Sequence, residues 1–135
     1  MNKVQNLIWK FNYAIYPYLR NFILFAGLWK HSGRQEFYIG RVARPVAAEE
    51  VADILKTAGF ECSICSWIDD GEILGMRRRE GKCQYHVRYF CDGELRGHYE
   101  YSPEGSPIGH LRGRVLESKR EYFIQILDKI NSEIK

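Results

Sequence analysis

CQYHVRYFCDGELRGHYEY, residues 83–101, holds two β-rich runs on either side of Asp92-Gly93, and the way those runs face each other decides the fold. The turn from Phe90 to Gly93 ends in a glycine, which takes positive φ without penalty and suits a type I turn closed by a glycine bulge. Counting back from it, Tyr89 faces Leu95, Val87 faces Gly97, Tyr85 faces Tyr99 and Cys83 faces Tyr101. That side of the ribbon is apolar and aromatic. The other side sets Arg88 against Arg96, His86 against His98 and Gln84 against Glu100. A two-residue loop at Asp92-Gly93 would slip the pairing by one and place Tyr89 across from Arg96, mixing the faces. The longer turn keeps them apart and is the one expected.

Working outward, period-two patterning continues upstream through residues 72–79 and 60–67, punctuated by Glu80-Gly81 and Asp69-Asp70-Gly71. Short turns of this kind force an antiparallel meander. A two-residue turn at Glu80-Gly81 sets Met76 against Tyr85, Leu74 against Val87 and Gly75 against His86. Carried through Asp69-Asp70-Gly71, the pattern puts Ile64 and Ser66 on the apolar side and Cys65 and Trp67 on the polar side.

Residues 36–42 read as a further strand. Residues 47–58 read as a helix, with Glu49 and Glu50 in its first turn and Gly59 at its C-terminal end. Leu111, Val115, Phe123, Ile126, Ile130 and Ile134 make an apolar stripe that predicts a C-terminal helix. The fold expected is therefore α+β: a four-stranded antiparallel meander plus one N-terminal strand, with two helices on one face, in the order β-α-β-β-β-β-α. In that order the domain, residues 35–135, resembles the fold of the TATA-binding protein. The resemblance implies an uncovered sheet face that meets DNA.

Residues 1–34 are set apart by composition. They hold Lys3, Lys10, Arg20, Lys30 and Arg34, no acid, and eight of the chain's nineteen aromatics. Leu7, Ile8, Phe11, Ile15, Tyr18, Leu19, Phe22 and Ile23 recur at helical spacing over residues 4–28. Pro17 clashes with the preceding turn, so two shorter helices meeting near Tyr16 are expected. Arg20 and Lys30 bracket too short an apolar run for a membrane span. So aromatic a segment exceeds what one small sheet needs. Trp9, Phe11, Tyr18, Phe22, Phe25 and Trp29 are accordingly read as a surface for a protein partner or for self-association, with packing over the domain's own core as the alternative and a membrane surface disfavoured by the few cations.

A formal net charge of +3 is too weak by itself to indicate nucleic acid. Four cysteines, Cys62, Cys65, Cys83 and Cys91, form no spaced framework, which points to a reducing, cytoplasmic compartment. The Cys62-to-Cys65 spacing is that of zinc or redox pairs, yet residues three apart on a strand point to opposite faces.

Three functions follow from these patterns. The first is a small non-enzymatic binding or assembly subunit that attaches to a larger complex through its aromatic N-terminus. The chain has no Gly-rich phosphate loop, no nucleophile elbow and no His-Glu-x-x-His helix, and no cofactor-binding motif either. The second is nucleic-acid binding on the open polar sheet face, with Arg77, Arg88 and Arg96 on phosphates and Trp67 stacking on bases. The third is a metal-dependent hydrolase of a phosphate ester, in which His86, His98 and Glu100 hold a metal ion and the flanking arginines take the anion.

Overall fold

The computed structural model describes residues 3–26, 37–63, 68–102, 104–105 and 117–134. Helix α1 runs over Lys3–Phe25, β1 over Phe37–Arg41, α2 over Ala48–Thr57, β2 over Glu61–Cys62, β3 over Glu72–Glu80, β4 over Cys83–Phe90 and β5 over Glu94–Tyr101. A short 3-10 turn at Glu117–Lys119 leads into α3, Arg120–Glu133. The expected α+β class and element order are what the chain adopts. The five strands make one open antiparallel sheet in the order β1-β5-β4-β3-β2.

The β4–β5 register is the expected one at every rung, from Cys83 opposite Tyr101 to Tyr89 opposite Leu95. Gly93 takes φ 87°, as the bulged turn requires. The β3–β4 register differs from expectation by two residues. Met76 lies opposite Val87 and not Tyr85, Leu74 opposite Tyr89, and Gly75 opposite Arg88 and not His86. The cause is the turn: Glu80 pairs with Cys83, so Gly81 (φ 59°) and Lys82 form the two-residue loop, one position later than Glu80-Gly81. A slip of two preserves the side of every residue, so the faces stay segregated.

On the apolar face Leu74, Met76, Val87, Tyr89 and Leu95 join Val51, Leu55, Phe123, Ile126 and Ile130 in the core beneath α2 and α3. Phe123 packs edge-on to Tyr85, with ring centroids 5.7 Å apart. Gly97 makes that close approach possible: a Cβ there would stand 2.5 Å from Phe123 Cε1.

Helix α1 is continuous, where two helices were expected. A proline within a helix removes one amide donor, and the turns on either side keep their own hydrogen bonds. Trp9 belongs to the buried core and Tyr13 packs against it, their rings edge-on at 5.6 Å. Burial pushes the Tyr13 hydroxyl far above the ordinary tyrosine range, and that hydroxyl sits against the Gly75 backbone beside Glu72. Gly75 lies on the polar side of the sheet, so Tyr13 of α1 reaches the face that the meander alone would leave open. Residues 64–67, which include Trp67 and Cys65, fall outside the described residues, as do Trp29 and the start of the expected C-terminal helix at 111–116.

Candidate functional site

The polar residues of the meander form a buried layer. Gln84, His86, Arg88, His98 and Glu100 are 1–3% exposed, and Glu72 is 5% exposed. Strand alternation puts 84, 86 and 88 of β4 on one side, and the observed register brings 98 and 100 of β5 beside them. Charge and hydrogen-bonding capacity in such a layer must be met internally, because a buried polar group without a partner is costly.

One end of the layer is an ion-pair cluster. Arg88 donates through Nε to Glu72 Oε2 at 2.9 Å and through Nη2 to Asp69 Oδ2 at 2.6 Å. Glu72 Oε2 also accepts the Asp69 backbone N–H at 3.0 Å. The other end is a chain of hydrogen bonds across the strands. Ser63 Oγ meets His86 Nε2 at 3.2 Å, His86 Nδ1 meets His98 Nε2 at 3.0 Å, and His98 Nε2 meets Glu100 Oε1 at 3.0 Å. Gln84 donates through Nε2 to that same Glu100 oxygen at 3.0 Å. Arg77 closes the chain at the surface, reaching Gln84 Oε1 at 3.4 Å, Glu61 Oε1 at 3.0 Å and Glu104 Oε1 at 2.9 Å. Its guanidinium pulls the pKa of Glu104 down to about 2.

His86, His98 and Glu100 thus come together as the sequence pairing requires, each offering a ligand atom within 4.8 Å of the others. These three residues can hold a metal ion. The Cys62 thiol lies apart from them, and burial raises its pKa.

Of the expected open, basic surface, Arg88 lies in this buried layer, while Arg77 and Arg96 stay partly exposed. Arg88 is 1% exposed, enclosed by its two carboxylates. Arg96 is directed to Glu94 and lies 4.5 Å over the Phe90 ring. Arg77 is held by Glu61 and Glu104. All three arginines therefore meet carboxylates of this chain, and Phe90, 5% exposed, lies between Arg88 and Arg96. The physical reason is that strand pairing gives the side on which a residue lies and contains no information about the carboxylates that fold against it, Glu61, Asp69, Glu72, Glu94 and Glu104. Trp67 lies outside the described residues.

The aromatic residues of α1 divide between two sides. Trp9, expected on the partner surface, turns inward and is 7% exposed, because with Tyr13 it anchors the helix. Phe11 (64%), Tyr18 (78%), Phe22 (63%) and Phe25 (91%) point outward, together with Val4, Leu7, Ile8, Ile15 and Leu19. Within that surface Val4, Ile8, Phe11, Ile15, Tyr18, Phe22 and Phe25 recur at alternating steps of four and three, the spacing of a coiled-coil seam. A test for period 3.5 in residues 4–25 would have detected it; a reading at period 3.6 merges the seam with the inward side. Among the described residues no helix is long and apolar enough to cross a membrane.

No family model matches the chain, and no curated protein or solved structure was found to match it.

Proposed function

We propose that the protein is a non-enzymatic assembly subunit that attaches to a larger complex by pairing the outer side of α1 with a helix of a partner protein. The observation that carries this reading is the exposed seam. Nine large apolar side chains on one helix, 39–91% exposed, form a continuous stripe, whereas soluble surfaces ordinarily scatter such residues singly. The three-and-four spacing fits a second helix.

Charge narrows the partner. The helix carries Lys3, Lys10 and Arg20 and no acid, so a helix with an apolar stripe and acidic flanks complements it better than a second, equally basic copy. A membrane surface has less support. Interfacial helices present a face rich in Lys and Arg opposite the apolar one, and here that opposite side carries Trp9 and Tyr13 against the sheet. Nucleic-acid binding is less supported than docking, since Arg77, Arg88 and Arg96 meet carboxylates of the chain itself. A phosphate-ester hydrolase needs an accessible metal, and His86 and His98 are each 2% exposed.

A photo-reactive amino acid placed at Leu19 of the full chain tests the reading in cells. It is expected to cross-link to a helical segment of another protein that carries acidic residues beside its apolar stripe. The Phe11→Glu/Phe22→Glu variant should abolish the cross-link without lowering the melting temperature. Cross-linking to a second copy of this chain, or to lipid, would overturn the proposal.

A further inference from the structure

The hydrogen-bond chain through the buried layer contains a junction that one proton serves poorly. His98 Nε2 stands 3.0 Å from His86 Nδ1 and 3.0 Å from Glu100 Oε1. An imidazole nitrogen offers either one proton or one lone pair. When Nε2 carries its proton, that proton is shared between a carboxylate oxygen and the His86 Nδ1 lone pair. His86 then donates through Nε2 to Ser63 Oγ, 3.2 Å away. When Nε2 is bare, it accepts from His86 but turns a lone pair toward the Glu100 carboxylate. In neither state are all three atoms satisfied by a single hydrogen. A cation in place of that hydrogen accepts lone pairs from all three.

The spacing suits an ion. Donor atoms lie about 2.0–2.1 Å from zinc, so two donors of its tetrahedral shell stand about 3.3 Å apart. Both separations here are 3.0 Å, so the side chains need open by only a few tenths of an ångström to admit the ion. The third pair closes within 4.8 Å, and rotation of the Glu100 carboxylate brings it inward.

The surroundings resemble the outer shell of a metal site. Gln84 donates to Glu100 Oε1 at 3.0 Å, and Ser63 lies on the ring nitrogen of His86 that would not ligate. Such contacts fix the ring orientation and tautomer of ligating residues. His86 and His98 are directly opposed on β4 and β5, two inner strands of the sheet, so their backbones are held by ladders on both sides. Arg88, the nearby cation on the same face, does not oppose an ion, because Glu72 and Asp69 both bind it.

We infer that His86 Nδ1, His98 Nε2 and Glu100 Oε1 form a binding site for one divalent transition ion of the zinc type. With each ligand 2% exposed, the ion ties β4 to β5 out of reach of a sizeable substrate, and water completes its fourth position. This site is separate from the outer side of α1, so it stands or falls independently of the docking proposal.

Untagged full-length protein, stripped with a chelator and dialysed, is titrated with zinc alone and with cobalt alone. One ion per chain is expected to bind, with visible cobalt absorption and a melting temperature raised by roughly 5 °C or more at saturating zinc. Gln84→Leu should weaken zinc binding roughly 10–100-fold while leaving the fold intact. His86→Ala/His98→Ala should abolish binding. The wild-type titration decides the matter even where that double variant fails to fold: no zinc binding below about 100 μM overturns the site. Binding by a folded double variant equal to wild type does so as well.

Discussion

The two faces of the sheet are both buried, but by different physical means. Under α2 and α3 the contacts are apolar: Leu74, Met76, Val87, Leu95 and Phe123 are 0–1% exposed and gain from leaving water in proportion to area. On the other face Arg88, His86, His98 and Glu100 are 1–2% exposed and gain only if every charge and donor is met. The apolar face tolerates approximate partners of the right volume. The polar face depends on specific atoms, so removing one group strands another.

The largest expected effect therefore lies on the polar face. Arg88→Met leaves the Glu72 carboxylate buried opposite Asp69 without its guanidinium, and should cost about 3–5 kcal/mol in denaturant unfolding. Adding Glu72→Gln removes the stranded charge and should restore much of that loss. A cost below about 1 kcal/mol for Arg88→Met would mean that water reaches this face and that the contrast is not real.

A pair of glycines, one on each face, sharpens the comparison. At Gly97 a Cβ would meet Phe123 Cε1 at 2.5 Å and Ile39 Cδ1 at 3.0 Å. At Gly75 it would meet Glu72 Oε1 at 3.1 Å, His86 Nε2 at 3.4 Å and the Tyr13 hydroxyl at 3.5 Å. Gly97→Ala should destabilise by about 1–3 kcal/mol through overpacking. Gly75→Ala should cost less, since its neighbours are mostly the ends of side chains that can turn aside. Equal losses, measured by thermal unfolding, would show that both faces are packed with the same rigidity.

The smallest effect is at the rim of the polar face. Hydrogen bonding to Arg77 holds the Glu104 carboxyl at about 2, below its ordinary value of 4.5. A carboxyl whose folded pKa is depressed contributes stability above its unfolded pKa and loses it as pH falls toward the folded one. The Arg77–Glu104 contribution is thus complete above about pH 4.5 and disappears between there and about pH 2. Side-chain carboxyl NMR should follow this titration. A midpoint for Glu104 near its ordinary value would show that the contact is not maintained in solution.

Much of the site was legible because it depends on one short-range device. Asp92-Gly93 and strict alternation determine that His86 opposes His98 and that Gln84 opposes Glu100, since a turn with one permitted register propagates along both strands. The β3–β4 turn was less legible. Glu80-Gly81 and Gly81-Lys82 both keep the faces apart, so alternation could not choose between them. Pro17 is a local signal that was overridden, as α1 passes through it.

By itself the sequence determined the α+β order, the segregation of apolar from polar residues on the meander and the meeting of the two histidines, all consequences of local turns and period. Only the tertiary structure decided what covers the polar residues. The Tyr13 hydroxyl lies against Gly75, far along the chain, and no turn, cap or periodicity links them. Arg88 is buried and paired with Glu72 and Asp69, and Trp9 of α1 turns inward while Phe22 and Phe25 stay exposed. Helical periodicity marks an apolar side, but which neighbour that side meets depends on contacts between residues far apart in sequence.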